Sequence, residues 1–109
     1  MVVPDPIPTF YADVPVDLAD ACVSHLVPQS HETTTQPTRH EGWRDIPITY
    51  VLCKNDAAVF TEAIQRPTVA LLQEQGSGDL EVIELESSHS PFLSQPERCG
   101  EVIGEAIKA

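Results

Sequence analysis

Ile46-Pro47-Ile48-Thr49-Tyr50-Val51-Leu52-Cys53 is the stretch whose reading decides the fold. It is β-branched and aromatic, and from Tyr50 onward it is apolar on both faces. A strand of that kind needs cover on both sides, as in a parallel α/β sheet. Pro47 has no N–H to donate and fits only at the start of such a strand. Lys54-Asn55-Asp56 ends the run, and a second strand follows at Leu80-Glu81-Val82-Ile83-Glu84-Leu85. Between them, residues Val59 to Gln75 predict a helix with Phe60, Ile64, Thr68, Leu71 and Leu72 on one face. Pro67 lies inside it. An interior proline costs about 3 kcal/mol, so a kink or two helical pieces are expected. Gly76-Ser77-Gly78 then makes a turn.

After a loop at Ser87-Ser88-His89-Ser90-Pro91, Ser94-Gln95-Pro96-Glu97 reads as a capping box, with serine at the cap and glutamate three residues later. Cys99, Val102, Ile103, Ala106 and Ile107 form the expected buried stripe of the helix it opens. Strand, helix, strand, helix is the pattern of a parallel βαβ unit with a right-handed crossover. Two strands are too few for a stable sheet, which points to part of a larger domain.

Upstream the character changes. Residues 1–38 carry five acids, no bases and six of the ten prolines. Alternating Pro4, Pro6 and Pro8 favour extended backbone, so no helix is expected there. Asp13 to Leu26 reads as a short helix. Asp13 is placed to cap it, Pro15 suits its first turn, and Asp17 and Asp20 lie near its positive end. Leu18, Cys22, His25 and Leu26 share its predicted apolar face. Residues 29–42 are polar and read as loop or weak helix.

The chain has 109 residues, enough for one modest core, and six bases against 17 acids give a net charge of −11. That charge argues against nucleic acid and anionic membrane as partners. The longest near-apolar stretch, Ile46 to Cys53, is far short of the ~20 residues of a spanning helix. No basic segment precedes Arg39, so no secretory signal is expected. Cys22, Cys53 and Cys99 are widely spaced with no Cys-x-x-Cys pair. A reducing compartment, most simply the cytoplasm, is expected, with the thiols as small core residues. His25, His31 and His40 match no standard metal spacing and read as surface histidines. There is no phosphate-binding loop, and neither a metal nor a cofactor is implied.

Catalytic groups of open α/β sheets gather at the carboxyl ends of the strands. Asp56 lies three residues past the first strand and His89 four past the second. If the strands are neighbours, the two loops emerge side by side. A carboxylate beside an imidazole is the orienting half of a nucleophilic triad: it fixes the tautomer, and the imidazole takes the nucleophile's proton. On spacing alone Asp56 is equally placed to cap the next helix, and His89 to be an ordinary surface histidine. Ser87, Ser88 and Ser90 are too close in sequence to His89 to act as its nucleophile and read as loop polarity. Cys53 reads as core.

Two longer stretches are more specific. Residues 43–56, Trp43 through Asp56, and Ser88-His89-Ser90-Pro91-Phe92-Leu93-Ser94-Gln95-Pro96-Glu97 resemble the C-terminal part of α/β-hydrolase-fold proteins. The likeness is to the branch of small esterase-like and hydroxynitrile-lyase-like members. Phe10-Tyr11-Ala12-Asp13-Val14-Pro15 through Leu26-Val27-Pro28-Gln29-Ser30 is similar to that family's lid. The resemblance implies a partial α/β-hydrolase fold: a helical lid segment over residues 1–42, then, over 43–109, two parallel strands with their crossover and C-terminal helices. It implies Asp56 as triad acid and His89 as triad histidine, in the order nucleophile, acid, histidine. The implied chemistry is hydrolysis of a small-molecule ester or amide through an acyl-serine, or lyase chemistry on the same triad. The family's G-x-S-x-G elbow does not occur in these 109 residues, and Gly76-Ser77-Gly78 follows a helix rather than a strand. The chain is therefore expected to start after the elbow and to be inactive alone, with an open strand edge prone to self-association. The rival reading is a non-catalytic acidic module that keeps a remnant of the fold and binds another protein. A strand followed by G-x-S-x-G encoded upstream of Met1 would favour the enzyme.

Overall fold

In the computed structural model, which describes residues 1–58 and 60–108, strands β1 (Ile48–Cys53) and β2 (Leu80–Leu85) pair in parallel. Ile48 lies opposite Leu80, and the register runs unbroken to Cys53 opposite Leu85. The ladder continues at both ends, where Ile48 N–H donates to Asp79 C=O and Lys54 N–H to Leu85 C=O. The even-numbered residues of β1 therefore face β2. Thr49, Val51 and Cys53 turn their backbone groups to the opposite edge.

The crossover is helix α4 (Glu62–Gln75). It is one continuous helix, not two pieces, although Pro67 lies within it. Only the bond to Ala63 C=O is lost, and Ala63 is exposed to solvent. Val59, the first residue of the expected helix, lies outside the described residues. The buried line of α4 is Gln65 and Leu72, while Phe60, Ile64 and Leu71 of the predicted face are exposed. The helix lays that narrow line on the sheet, and the flanking apolar residues meet no cover among the described residues.

Helices α5 (Pro91–Ser94) and α6 (Pro96–Lys108) follow β2. The expected capping box does not form. Ser94 ends α5 and donates its hydroxyl to Ser90 C=O, while Cys99 N–H bonds Gln95 C=O, which makes Gln95 the junction between the helices. Val102 is buried, but Ile103 and Ile107 of the expected stripe are exposed, Ile107 at 80%. Leu52, Leu85, Cys53, Leu72 and Val102 form the core around the sheet.

Upstream lie α1 (Pro6–Phe10), α2 (Val16–Ser24) and a single turn, α3 (Glu32–Thr35). The helix α1 contradicts the extended backbone expected of Pro4, Pro6 and Pro8. Pro6 and Pro8 both fall within its first three positions, where an N–H has no intrahelical acceptor and its absence costs nothing. Helix α2 begins after Pro15, and Asp13 does not cap it. Its buried residue is Ala19, with Cys22 and Val23 half-buried, whereas Leu18, His25 and Leu26 of the predicted face are exposed. No helix of the described residues is long and apolar enough to cross a membrane.

Candidate active site

The parallel register brings the ends of β1 and β2 level, and the loops that leave them meet. Asn55 N–H donates to Ser87 C=O at 3.0 Å, which stitches one loop to the other. Beyond that bond, Asp56 Oδ2 lies 2.8 Å from His89 Nδ1. A carboxylate only accepts, so Nδ1 carries the proton, and the lone pair of the neutral ring sits on Nε2. Asp56 Oδ1 accepts the Ala58 N–H at 2.8 Å. The carboxylate thus shapes its own loop with one oxygen and orients the imidazole with the other. The Asp56 side chain is 5% exposed and that of His89 31%. The acid is withdrawn from water while the ring it steers stays accessible. Such an imidazole is built to accept a proton at Nε2 and return it.

Each partner is held by a side chain that sequence reasoning did not single out for that role. Gln65, 3% exposed, reaches from α4 to the free edge of β1. Its Nε2 donates to Cys53 C=O at 2.8 Å and Phe60 C=O at 2.6 Å, and its Oε1 accepts Cys53 N–H at 2.9 Å. One amide so brackets both ends of the loop that carries Asp56. On the histidine side, Asp13 accepts the Ser88 N–H at 2.9 Å and also the Ser88 hydroxyl. Burial raises the Asp13 carboxyl, but these bonds, with Ser94 nearby, outweigh it and hold the group below its ordinary value. The Phe10 ring packs against the His89 imidazole, centroids 5.2 Å apart. No sequence signal marks Gln65. Asp13 had one, a cap position, and it pointed elsewhere.

The serines flanking His89, read as loop polarity, are buried within that loop. Ser88 is taken by Asp13, and Ser90 C=O accepts N–H groups from Leu93 and Ser94. Burial pushes the Cys53 thiol up, away from the reactive thiolate. His25 Nδ1 bonds Ala21 C=O, and His40 lies 3.7 Å from Asp45. Among the described residues, no three His, Cys, Asp or Glu side chains gather to hold a metal. His89 opens onto a cleft of about 940 Å³ whose walls include Val3, Phe10, Cys22, Leu26, Phe92 and Leu93.

The sequence profile of the alpha/beta hydrolase family matches residues 2–102. The chain belongs to the alpha/beta hydrolase family. It is 34% identical over 95 residues to "Alpha/beta hydrolase nvfD" of Aspergillus novofumigatus, a match covering 84% of the chain and 36% of that protein. It is 31% identical over 98 residues to "Probable hydrolase R7" of a Phoma species, covering 90% of the chain and 40% of the relative. The chain thus spans less than half the length of either relative. The parallel pair with its crossover helix agrees with part of an α/β-hydrolase fold.

Proposed function

We propose that this chain contributes the acid and the histidine, Asp56 and His89, to a serine-type site that hydrolyses small-molecule esters or amides. The observation that carries the reading is the 2.8 Å contact between Asp56 Oδ2 and His89 Nδ1 at the carboxyl ends of two parallel strands. In this reading, Nε2 of His89 takes the proton of an elbow serine as that oxygen attacks the carbonyl. The imidazolium, stabilised by Asp56, then protonates the leaving alcohol or amine. The same ring next draws a proton from water as its oxygen attacks the acyl carbon, and returns that proton to the serine oxygen as the C–O bond to serine breaks and the acid leaves. The nucleophile and the oxyanion-binding amides belong to the G-x-S-x-G half of the fold, and these 109 residues hold no such motif. We take the chain as the C-terminal portion of an esterase-like member, with residues 1–42 as lid and residues 43–109 as core. Its three cysteines are free, in keeping with a cytoplasmic setting.

The test joins residues 1–109, in trans, to an α/β-hydrolase N-terminal half carrying the elbow. Hydrolysis of a short-chain aryl ester should emerge only in the complex. It should fall by ~10⁴-fold in Asp56→Asn, the loss expected when the orienting acid of a triad is removed. Full activity in that variant, or equal activity without the added half, overturns the reading. A complex that forms without turnover favours the non-catalytic interaction module.

A further inference from the structure

One peptide unit of the histidine loop is held at both ends. The C=O of Ser87 accepts from Asn55 N–H of the acid loop, and the N–H of Ser88 donates to the Asp13 carboxylate. Ser88, 2% exposed, gives its hydroxyl to the other Asp13 oxygen across 75 residues of sequence. The next residue is His89. Three residues before Asp13, Phe10 lays its ring on that imidazole, and a turn bond from Val14 N–H to Tyr11 C=O at 3.0 Å fixes Asp13 relative to Phe10. The segment that carries α1 and α2 therefore grips the histidine loop twice: at Ser88 through Asp13 and at the imidazole through Phe10.

We infer that Asp13 is a positioning residue for His89, so that the seating of residues 1–26 and the alignment of the imidazole on Asp56 are a single event. A helix cap would need one oxygen and a neighbour in sequence. Here both oxygens are engaged, and both bonds run to the residue before the histidine. A peptide unit fixed only at its carbonyl can rotate about the Asn55 bond and carry Cα of Ser88 with it, and His89 follows as the next residue. Fixed at both ends, it cannot. When the segment lifts from the cleft, Asp13 leaves Ser88, Phe10 leaves the ring, and the Nδ1–H bond to Asp56 loosens. A site of this design aligns its base only when its cover is in place. That consequence for turnover rests on the reading of His89 as the reacting base. The coupling itself is measured without turnover.

The experiment uses the full 109-residue chain labelled with ¹⁵N, with the imidazole signals of His89 read for tautomer and for solvent exchange of Nδ1–H. Asp13→Ala should raise that exchange about tenfold and mix the tautomers, in line with the loss of hydrogen bonds to a charged group. Asp13→Asn keeps an acceptor for Ser88 N–H and should stay within about threefold of the parent. Phe10→Ala should give an intermediate rise. A folded Asp13→Ala chain with unchanged exchange and tautomer overturns the inference and makes Asp13 an anchor of the segment alone. Should Asp13→Ala not fold, Ser88→Ala carries the test: it removes only the hydroxyl donor, a rise in exchange supports the coupling, and none refutes it. An inactive complex in the esterase assay, with exchange that still responds to Asp13, would refute the catalytic reading and leave the coupling standing.

Discussion

Replacing Gln65 by glutamate keeps the shape of the side chain and removes both of its donors. Cys53 C=O and Phe60 C=O, now 2.8 and 2.6 Å from Nε2, would face a carboxylate oxygen instead. Cys53 is 8% exposed and its carbonyl has no easy route to water, whereas Phe60, 55% exposed, can be resolvated. The Cys53 carbonyl would keep only the long 3.4 Å bond from Asp56 N–H; losing its strong buried partner costs about 1–3 kcal/mol, and burying the new charge adds to it. A total near 2–4 kcal/mol is expected, a large share of the roughly 5–15 kcal/mol that holds a typical domain. Burial and the facing carbonyls raise the pKa of the introduced carboxyl in the folded state. The folded protein then binds more protons than the unfolded chain, so the deficit shrinks as pH falls and the acid regains one donor. Gln65→Met, of similar volume, should be destabilised without that pH dependence. Urea unfolding followed by Trp43 fluorescence, at about pH 7 and about pH 5, measures both. Equal losses for the two variants at both pH values, or a loss under about 0.5 kcal/mol, would refute the bracket.

A Cβ on Gly76 would sit 2.5 Å from Leu72 O at the end of α4, so Gly76→Ala should lower stability by about 1–3 kcal/mol in the same assay. Asp13 has its carboxyl lowered on folding; its contribution is complete above the ordinary aspartate pKa of about 3.9 and is lost as pH falls through the lower folded value. Asp13→Asn should therefore flatten that part of the acid limb of the stability curve. The free edge of β1 presents Thr49 and Val51, since Gln65 already occupies Cys53. Thr49→Pro, which removes an outward N–H, should lower self-association in sedimentation velocity while the chain stays folded.

The parallel pair was legible because Tyr50 to Cys53 is apolar on both faces, a pattern few other settings tolerate. The meeting of Asp56 and His89 was legible for a related reason: adjacent parallel strands leave their next loops side by side. What eluded the sequence has a physical cause in each case. Pro6 and Pro8 argue against a helix only if the helix interior is meant, and α1 keeps both in its first turn. Asp13 carries the chemistry of a cap, and a carboxylate that serves a residue 75 positions away looks the same in sequence. Gln65 answers to backbone groups at a strand edge, which leave no trace in residue identity. Periodicity found the apolar residues of α4 and α6 but not which of them are covered. That depends on neighbours, and Ile64, Ile103 and Ile107 have too few among the described residues to be buried.

In the proposed site His89, steered by Asp56, acts as base toward a serine on the other half of the fold. A fluorophosphonate that reacts only with an activated serine tests it most directly, applied to residues 1–109 assembled with an elbow-bearing half. Stoichiometric labelling of the elbow serine is expected, with no labelling of the 109-residue chain by itself and loss of labelling in His89→Ala. Labelling that survives His89→Ala, or that falls on a serine of residues 1–109, would contradict it.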